Sequence, residues 1–305
     1  MRFTDKSFGV RVTREVQYAT ARVGVNASPR DRPLSLDVYE PEGDPADTLR
    51  PALIMAFGGA FHRGSKEADE FDNEGHRNTP VAEYCREFAR RGYVAFSIDY
   101  RLVQEDPDPG TTPVILDRQN IPRARIDHVR GLLGLPPATS EMIWAGLEAA
   151  CDDMASAFRF VRDQAPRYRI DPARIAVGGF SAGARNALGA AYGERVPAAA
   201  VVAISGYLAE EDLKRHVTGA AGEPPALLIS GEHDLAHIAK HAVIMHRHFE
   251  SVGLEHEAWI VAGATHFYTA DSPMRRTDGK HAVLEQGMAD FLHRALRLGD
   301  MPPGA

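Results

Sequence analysis

Apolar and polar positions change rhythm along the chain. From Val16 to Val25 and from Leu34 to Tyr39 they alternate, as in strands with one face in water. DPADTLRP, Asp44 to Pro51, is a polar turn region. After it the runs become continuous: PALIMAF (51–57), YVAFSIDY (93–100), RIAVGG (174–179), AAAVVAIS (198–205), PALLISG (225–231) and EAWIVAG (257–263). Unbroken apolar runs suit strands buried on both faces. VAEYCREFARRG has helical spacing and stops at Gly92. Stretches of about a dozen helical residues or more separate most of the other runs. The pattern predicts an α/β fold: a mostly parallel sheet of about eight strands, helices on both faces, and an antiparallel pair at one edge.

One segment breaks the rhythm. Val103 to Thr139 carries no strand signal, opens with EDPDPGTTP and closes with GLPPATS. So long a connection is uncommon and often walls or caps a site. It is read as a lid-like insertion, 103–139, after the fourth strand, within a single domain covering 1–305. Ser140 is placed as the cap of the long helix that follows it. Arg123 and Arg125, offset by Asp117 and Asp127, read as a solvated face.

The bulk numbers narrow the class. A chain of 305 residues with net charge −7 does not favour nucleic acid or an anionic membrane as partner. Cys85 and Cys151 sit in helix-like patterns, with no disulfide framework. The N-terminal stretch lacks a signal peptide's apolar region, and no run reaches membrane-span length. A cytoplasmic protein is expected, and a homo-oligomer is compatible with the sequence.

The chemistry gathers at three strand ends. IAVGGFSAGA contains Gly179-Phe180-Ser181-Ala182-Gly183, a Gly-x-Ser-x-Gly between a strand and a helical pattern. A sharp strand-to-helix turn strains the serine backbone and needs small residues two before and two after it. A serine hydroxyl requires a base, and the base an orienting carboxylate, both downstream. Asp234 follows PALLISG, 53 residues after Ser181 (181 to 234), and His266 follows EAWIVAG, 32 further on (234 to 266). Glu232 and His233 are rivals, but Asp234 follows the turn better. Such residues converge at the carboxyl end of a parallel sheet.

With these motifs in order, the chain resembles the α/β-hydrolase fold, and more narrowly the carboxylesterase and hormone-sensitive-lipase-like branch. FGGAF, SIDYRL, GGFSAGA, GEHD and GATHF carry the resemblance over roughly residues 16 to 298. It implies a serine esterase without cofactor or metal: Ser181 the nucleophile, Asp234 the acid, His266 the base, and a small-molecule ester the partner. By position, the N–H groups of Gly59, Ala60 and Ala182 would form the oxyanion hole. The family's His-Gly-Gly-Gly is here Phe57-Gly58-Gly59-Ala60, and the Ala-Pro-Glu that often follows DYRL is missing. The family's histidine hydrogen-bonds to hold the loop, which phenylalanine cannot do. Phe57 is either a pocket wall or another way of holding that loop.

Phe57, Phe61, Phe180, Phe267 and Tyr268 flank the catalytic turns, and Trp144 starts the helix after the insertion; together they predict an apolar pocket. Small to medium esters are favoured. An amidase, formamidase or peptidase on the same triad is the alternative, and a non-catalytic binding protein of this fold the second. His237 and His241, with His246 and His248 beyond, have the spacing of a zinc pair. Ile238 stands where a zinc hydrolase needs Glu, so they read as a solvated helix.

Overall fold

The alternating segments pair as a long antiparallel hairpin, β1 (Gly9–Val23) with β2 (Arg30–Glu42). The computed structural model describes residues 3–43, 49–67, 71–73, 75–116, 118, 121 and 123–300. β1 begins before Val16 because its register slips between Thr13 and Val16, where Glu15 has φ +56°. That bulge breaks the alternation a reader would follow. Of the expected turn, 44–48 lie outside the described residues, and Arg50 and Pro51 already belong to β3 (Arg50–Ala56).

The chain then forms a small hairpin, β4 (Phe71–Asn73) with β5 (His76–Asn78), followed by α1 (Val81–Arg90) and β6 (Val94–Ile98). After the insertion come α3 (Ser140–Asp163), α4 (Ala165–Tyr168), β7 (Ile170–Phe180), α5 (Ala182–Leu188) and β8 (Ala200–Ile204). α6 (Glu210–His216), β9 (Ala226–Gly231), α7 (Ala236–Val252) and β10 (His256–Val261) follow. β11 (Pro273–Arg276), β12 (His281–Val283) and α8 (Leu284–Ala295) complete the main elements.

Among the described residues ten strands form the main sheet, in the order β1-β2-β6-β3-β7-β8-β9-β10-β11-β12. From β6 to β10 neighbours run parallel; β1, β2, β11 and β12 are antiparallel. The count exceeds the expected eight because β11 and β12 have only 4 and 3 residues. Short edge strands built from Arg, His and Pro carry no apolar run to read. Every residue of β3, β6, β8 and β9 is buried. Successive side chains of a strand point to opposite faces, so both faces are covered.

Within 103–139 the described residues form a 3-10 turn, Val103–Glu105, and α2 (Ala124–Leu132). Glu148 of α3 fastens this segment. Its carboxylate accepts the N–H groups of Val114 (2.9 Å) and Ile115 (2.7 Å) and the indole N–H of Trp144 (3.1 Å). Burial pushes the Glu148 carboxyl up, opposed by these donors. The helix cap is Thr139, whose Oγ1 accepts from the N–H of Met142 at 3.1 Å; Ser140 is already the first helical residue.

Candidate active site

Ser181 sits between β7 and α5 at φ 53°, ψ −112°. Such a backbone costs about 1–3 kcal/mol and persists only where the surroundings impose it. They do so here: the N–H of Ser181 donates to the carbonyl of Ile204 at the end of β8, 2.8 Å away. A Cβ on Gly183 would lie 2.0 Å from the Ala56 carbonyl oxygen, so the end of β3 leaves no room for a side chain.

Asp234 follows β9 and His266 follows β10; both are buried. His266 Nδ1 is 2.7 Å from Asp234 Oδ1, and its Nε2 is 3.0 Å from Ser181 Oγ. A carboxylate only accepts, so Nδ1 carries the proton, and in the neutral ring Nε2 accepts from the serine hydroxyl. Phe180 and Phe267 flank the imidazole, each 5.1 Å away between ring centres. The rivals point elsewhere. Glu232 and His233 are exposed, and Glu232 pairs with Arg275 at 2.7 Å.

Asp234 is itself held from behind. Oδ1 also accepts the N–H of Leu235 (2.8 Å), and Oδ2 accepts the N–H of Gly231 (3.1 Å) and the hydroxyl of Ser205 (2.6 Å). Tyr268 Oη lies 2.6 Å from Ser205 Oγ. Ser205 spends its one proton on Asp234, so Tyr268 must be the donor. Burial raises the Tyr268 phenol well above its ordinary range, which keeps that proton in place. Tyr268, expected in the pocket wall, is therefore behind the carboxylate, because its hydroxyl is drawn to a buried partner. Ser205 went unread in the sequence; its one signal was a polar residue closing the apolar run AAAVVAIS.

The glycine loop after β3 faces the serine. A Cβ on Gly58 would meet Ser181 Cβ at 3.0 Å. Gly59 at φ +127° and Ala60 at φ +54° line the same cavity as Ser181 and His266. Ala182 opens α5, where an N–H has no partner within the helix. Phe57 stacks on Tyr100, centroids 4.4 Å apart, while the Tyr100 hydroxyl donates to the Phe57 carbonyl at 2.9 Å. The loop's imidazole comes from His62. Arg130 Nη1 donates to His62 Nε2 at 2.9 Å, so Nδ1–H donates to the carbonyl of Ala60 at 2.7 Å. Burial, with Arg130 adding to it, holds the His62 imidazole below its usual range and neutral. Gln104 donates to the His62 carbonyl (2.7 Å), and the Val103 N–H to that of Phe61 (2.9 Å).

Two cavities flank Ser181. The larger, about 300 Å³, is lined by Phe57, Phe180, Phe267, Arg63 and Arg125 beside the loop and the serine. The smaller, about 60 Å³, has Phe61, Ile121, Ile126, Tyr207 and His237 in its wall. Trp144 lines neither; it is held by Glu148, with the Arg118 guanidinium 3.5 Å over its ring. Arg125 faces the cavities, not a solvated face, and Asp117, named as its offset, lies outside the described residues. His237 and His241 are not a freely solvated face either. His237 meets the smaller cavity and His241 stacks on Tyr207 at 4.2 Å. Among the described residues no His, Cys, Asp or Glu cluster could hold a metal.

A family model described as BD-FAE matches residues 142–201, from α3 to the first residues of β8, with Ser181 inside. Many solved structures resemble the chain, among them two of one esterase. Esterase 2 of the planctomycete Thermogutta terrifontis, with propionate bound, is 19% identical over 100% of both chains, TM-score 0.58. The same esterase phosphorylated by paraoxon is 18% identical over 99% of both, TM-score 0.60. The fold is that of the α/β-hydrolases. No curated protein matches the chain in sequence. In this fold Ser181, Asp234 and His266 follow β7, β9 and β10 of the parallel run, and the glycine loop follows β3.

Proposed function

We propose that the protein is a serine hydrolase of carboxylic esters, working through an acyl-enzyme on Ser181. The observation that carries this is the chain of contacts Ser181 Oγ–His266 Nε2 (3.0 Å) and His266 Nδ1–Asp234 Oδ1 (2.7 Å), opening on a cavity. His266 takes the hydroxyl proton as Ser181 attacks the ester carbonyl. Asp234 orients the ring and balances the imidazolium. The N–H groups of Gly59, Ala60 and Ala182 receive the oxyanion. His266 then protonates the leaving alcohol, and water repeats the sequence on the acyl-enzyme. The Thermogutta esterase is described with propionate bound and as phosphorylated by paraoxon, which suits short acyl groups and a nucleophilic centre.

Residues 103–139 act as a wall and partial lid, since Ile121, Arg125 and Ile126 reach the cavities. The chain is taken as one domain around the sheet. No helix among the described residues is long and apolar enough to cross a membrane. The cytoplasm is the proposed compartment. A small-molecule ester is the proposed partner.

The test is hydrolysis of p-nitrophenyl acetate and butyrate by the full chain and by Ser181→Ala. Turnover lost in the folded variant, with one equivalent of paraoxon bound by the wild type alone, is the expected result. Retained activity in the variant overturns the role of Ser181, and faster cleavage of anilides than of matched esters moves the activity to amides.

A further inference from the structure

His266 lines the larger cavity and not the smaller, while Ser181 and Ala60 line both. That asymmetry sorts the two halves of an ester. His266 must reach the leaving oxygen to protonate it, so the alcohol lies on its side, in the cavity of about 300 Å³. The acyl chain then runs from the attacked carbon into the cavity of about 60 Å³. At about 10–15 Å³ for each water-sized group, that space takes roughly four to six such groups. Phe61, Ile121, Ile126, Leu147 and Ile238 supply its apolar walls.

His237 stands in the same wall, half-buried. Its ring meets Tyr207 edge-on, centroids 5.8 Å apart, and makes no hydrogen bond among the described residues. The other polar side chains of this wall are engaged. Ser181 bonds to His266, Arg185 meets Asp212 at 3.7 Å and the Tyr207 hydroxyl, and Arg125 lies over the Phe267 ring. Burial first, then the positive charge of His266, holds the His237 imidazole below its usual range. A neutral imidazole offers one N–H donor and one acceptor nitrogen. A hydrocarbon chain that fills the cavity satisfies neither. A site with a polar group to pair discriminates against the ligand that leaves it unpaired.

We infer that the smaller cavity takes the acyl group and that His237 binds a hydroxyl on it, so that the preferred substrates are esters of short hydroxy acids. This rests on the esterase activity proposed above and adds the substrate class and the residue that selects it. The bonds broken and formed are unchanged. The hydroxyl is a spectator, and water gives its OH to the acyl group and a proton to the alcohol. Phe57, Phe180 and Phe267 in the larger cavity suit an aromatic alcohol.

Benzyl esters test it, with acid release followed by pH-stat in the full chain. Each enantiomer of benzyl 3-hydroxybutyrate is set against benzyl butyrate, and each of benzyl lactate against benzyl propionate. Dividing each ratio by that for alkaline hydrolysis removes the intrinsic reactivity of the ester. In the wild type the corrected kcat/KM ratio should favour at least one hydroxy ester by about tenfold. In His237→Phe, which keeps a ring without its nitrogens, the ratio should fall to about one or below, and His237→Gln should keep part of it. Benzyl octanoate should be cleaved at least about tenfold more slowly than benzyl butyrate. A corrected ratio near one in a wild type that cleaves benzyl butyrate overturns the inference and leaves the esterase standing. So does an unchanged ratio in folded His237→Phe. Octanoate cleaved as fast as butyrate overturns the placement of the acyl group. No turnover of any ester overturns the esterase, and this inference with it. The wild-type ratios decide the matter even where a variant does not fold.

Discussion

Ser205 Oγ stands between Asp234 Oδ2 and Tyr268 Oη, 2.6 Å from each, with Tyr268 donating to the serine and the serine to the carboxylate. The carboxylate is thereby pinned from the side opposite His266. Ser205→Ala removes one of the two donors to Oδ2 and leaves the Gly231 N–H. Loosening an orienting acid acts on the transition state more than on substrate binding. Steady-state kinetics should show kcat down by about tenfold in Ser205→Ala and about threefold in Tyr268→Phe, with KM held. Ser205→Thr should recover most of the loss. Equal changes in kcat and KM, or no rescue, would point to packing alone.

His62 does for the glycine loop what Phe57 cannot. Its Nδ1–H fixes the Ala60 carbonyl, and so the plane of the next peptide, while Arg130 fixes the ring. His62→Ala should lower kcat by about tenfold to a hundredfold, within the cost of a misplaced oxyanion donor. His62→Asn, which can place an amide N–H near the same carbonyl, should retain part of it. The fold should survive, since Arg130 also donates to the Pro136 carbonyl at 2.7 Å. Unchanged kcat in His62→Ala would remove His62 from the loop's support.

These two positions mark where reading the sequence stops. The parallel strands were legible because burial on both faces leaves unbroken apolar runs, and the strand-end residues Ser181, Asp234 and His266 because each follows such a run. Ser205 and His62 were not, because each acts through a partner distant in sequence: Asp234 and Tyr268 for one, Arg130 for the other. Arg125 illustrates the same point from the other side. Alone it is a charge on a polar segment, and only the placement of α2 turns it toward the cavity. The edge strands are held by backbone pairing, β11 to β10 and β12 to β11, which side-chain periodicity does not record.

Phe57 is 5% exposed and stacked on Tyr100, so its ring fills space between the loop and the strand end below. Phe57→Ala should cost about 3 kcal/mol, the lower end for an emptied aromatic site, seen as a shifted midpoint in urea unfolding. Phe57→His puts a polar ring against Tyr100 while His62 already holds the loop. It should not raise kcat and should lower stability. A faster enzyme would mean that the loop lacks support in the native chain.

Glu194 gives the protein an unusual pH dependence of stability. Its side chain is 3% exposed, with one oxygen 3.8 Å from Arg159 Nη1. The other has no hydrogen-bond partner among the described residues. Burial, then the negative charge of Asp152, push its carboxyl from 4.5 up to about 7. The folded protein therefore binds this proton more tightly than the unfolded chain. Stability due to Glu194 is fullest below 4.5, and falls as pH rises through about 7. The loss should be on the order of 3 kcal/mol, the attraction of Arg159 being already contained in the folded value. Urea unfolding of Glu194→Gln against wild type between these limits measures it. The variant should gain on the wild type as pH rises, with the difference levelling off above the folded value. A difference that stays flat with pH would show that Glu194 titrates alike in both states.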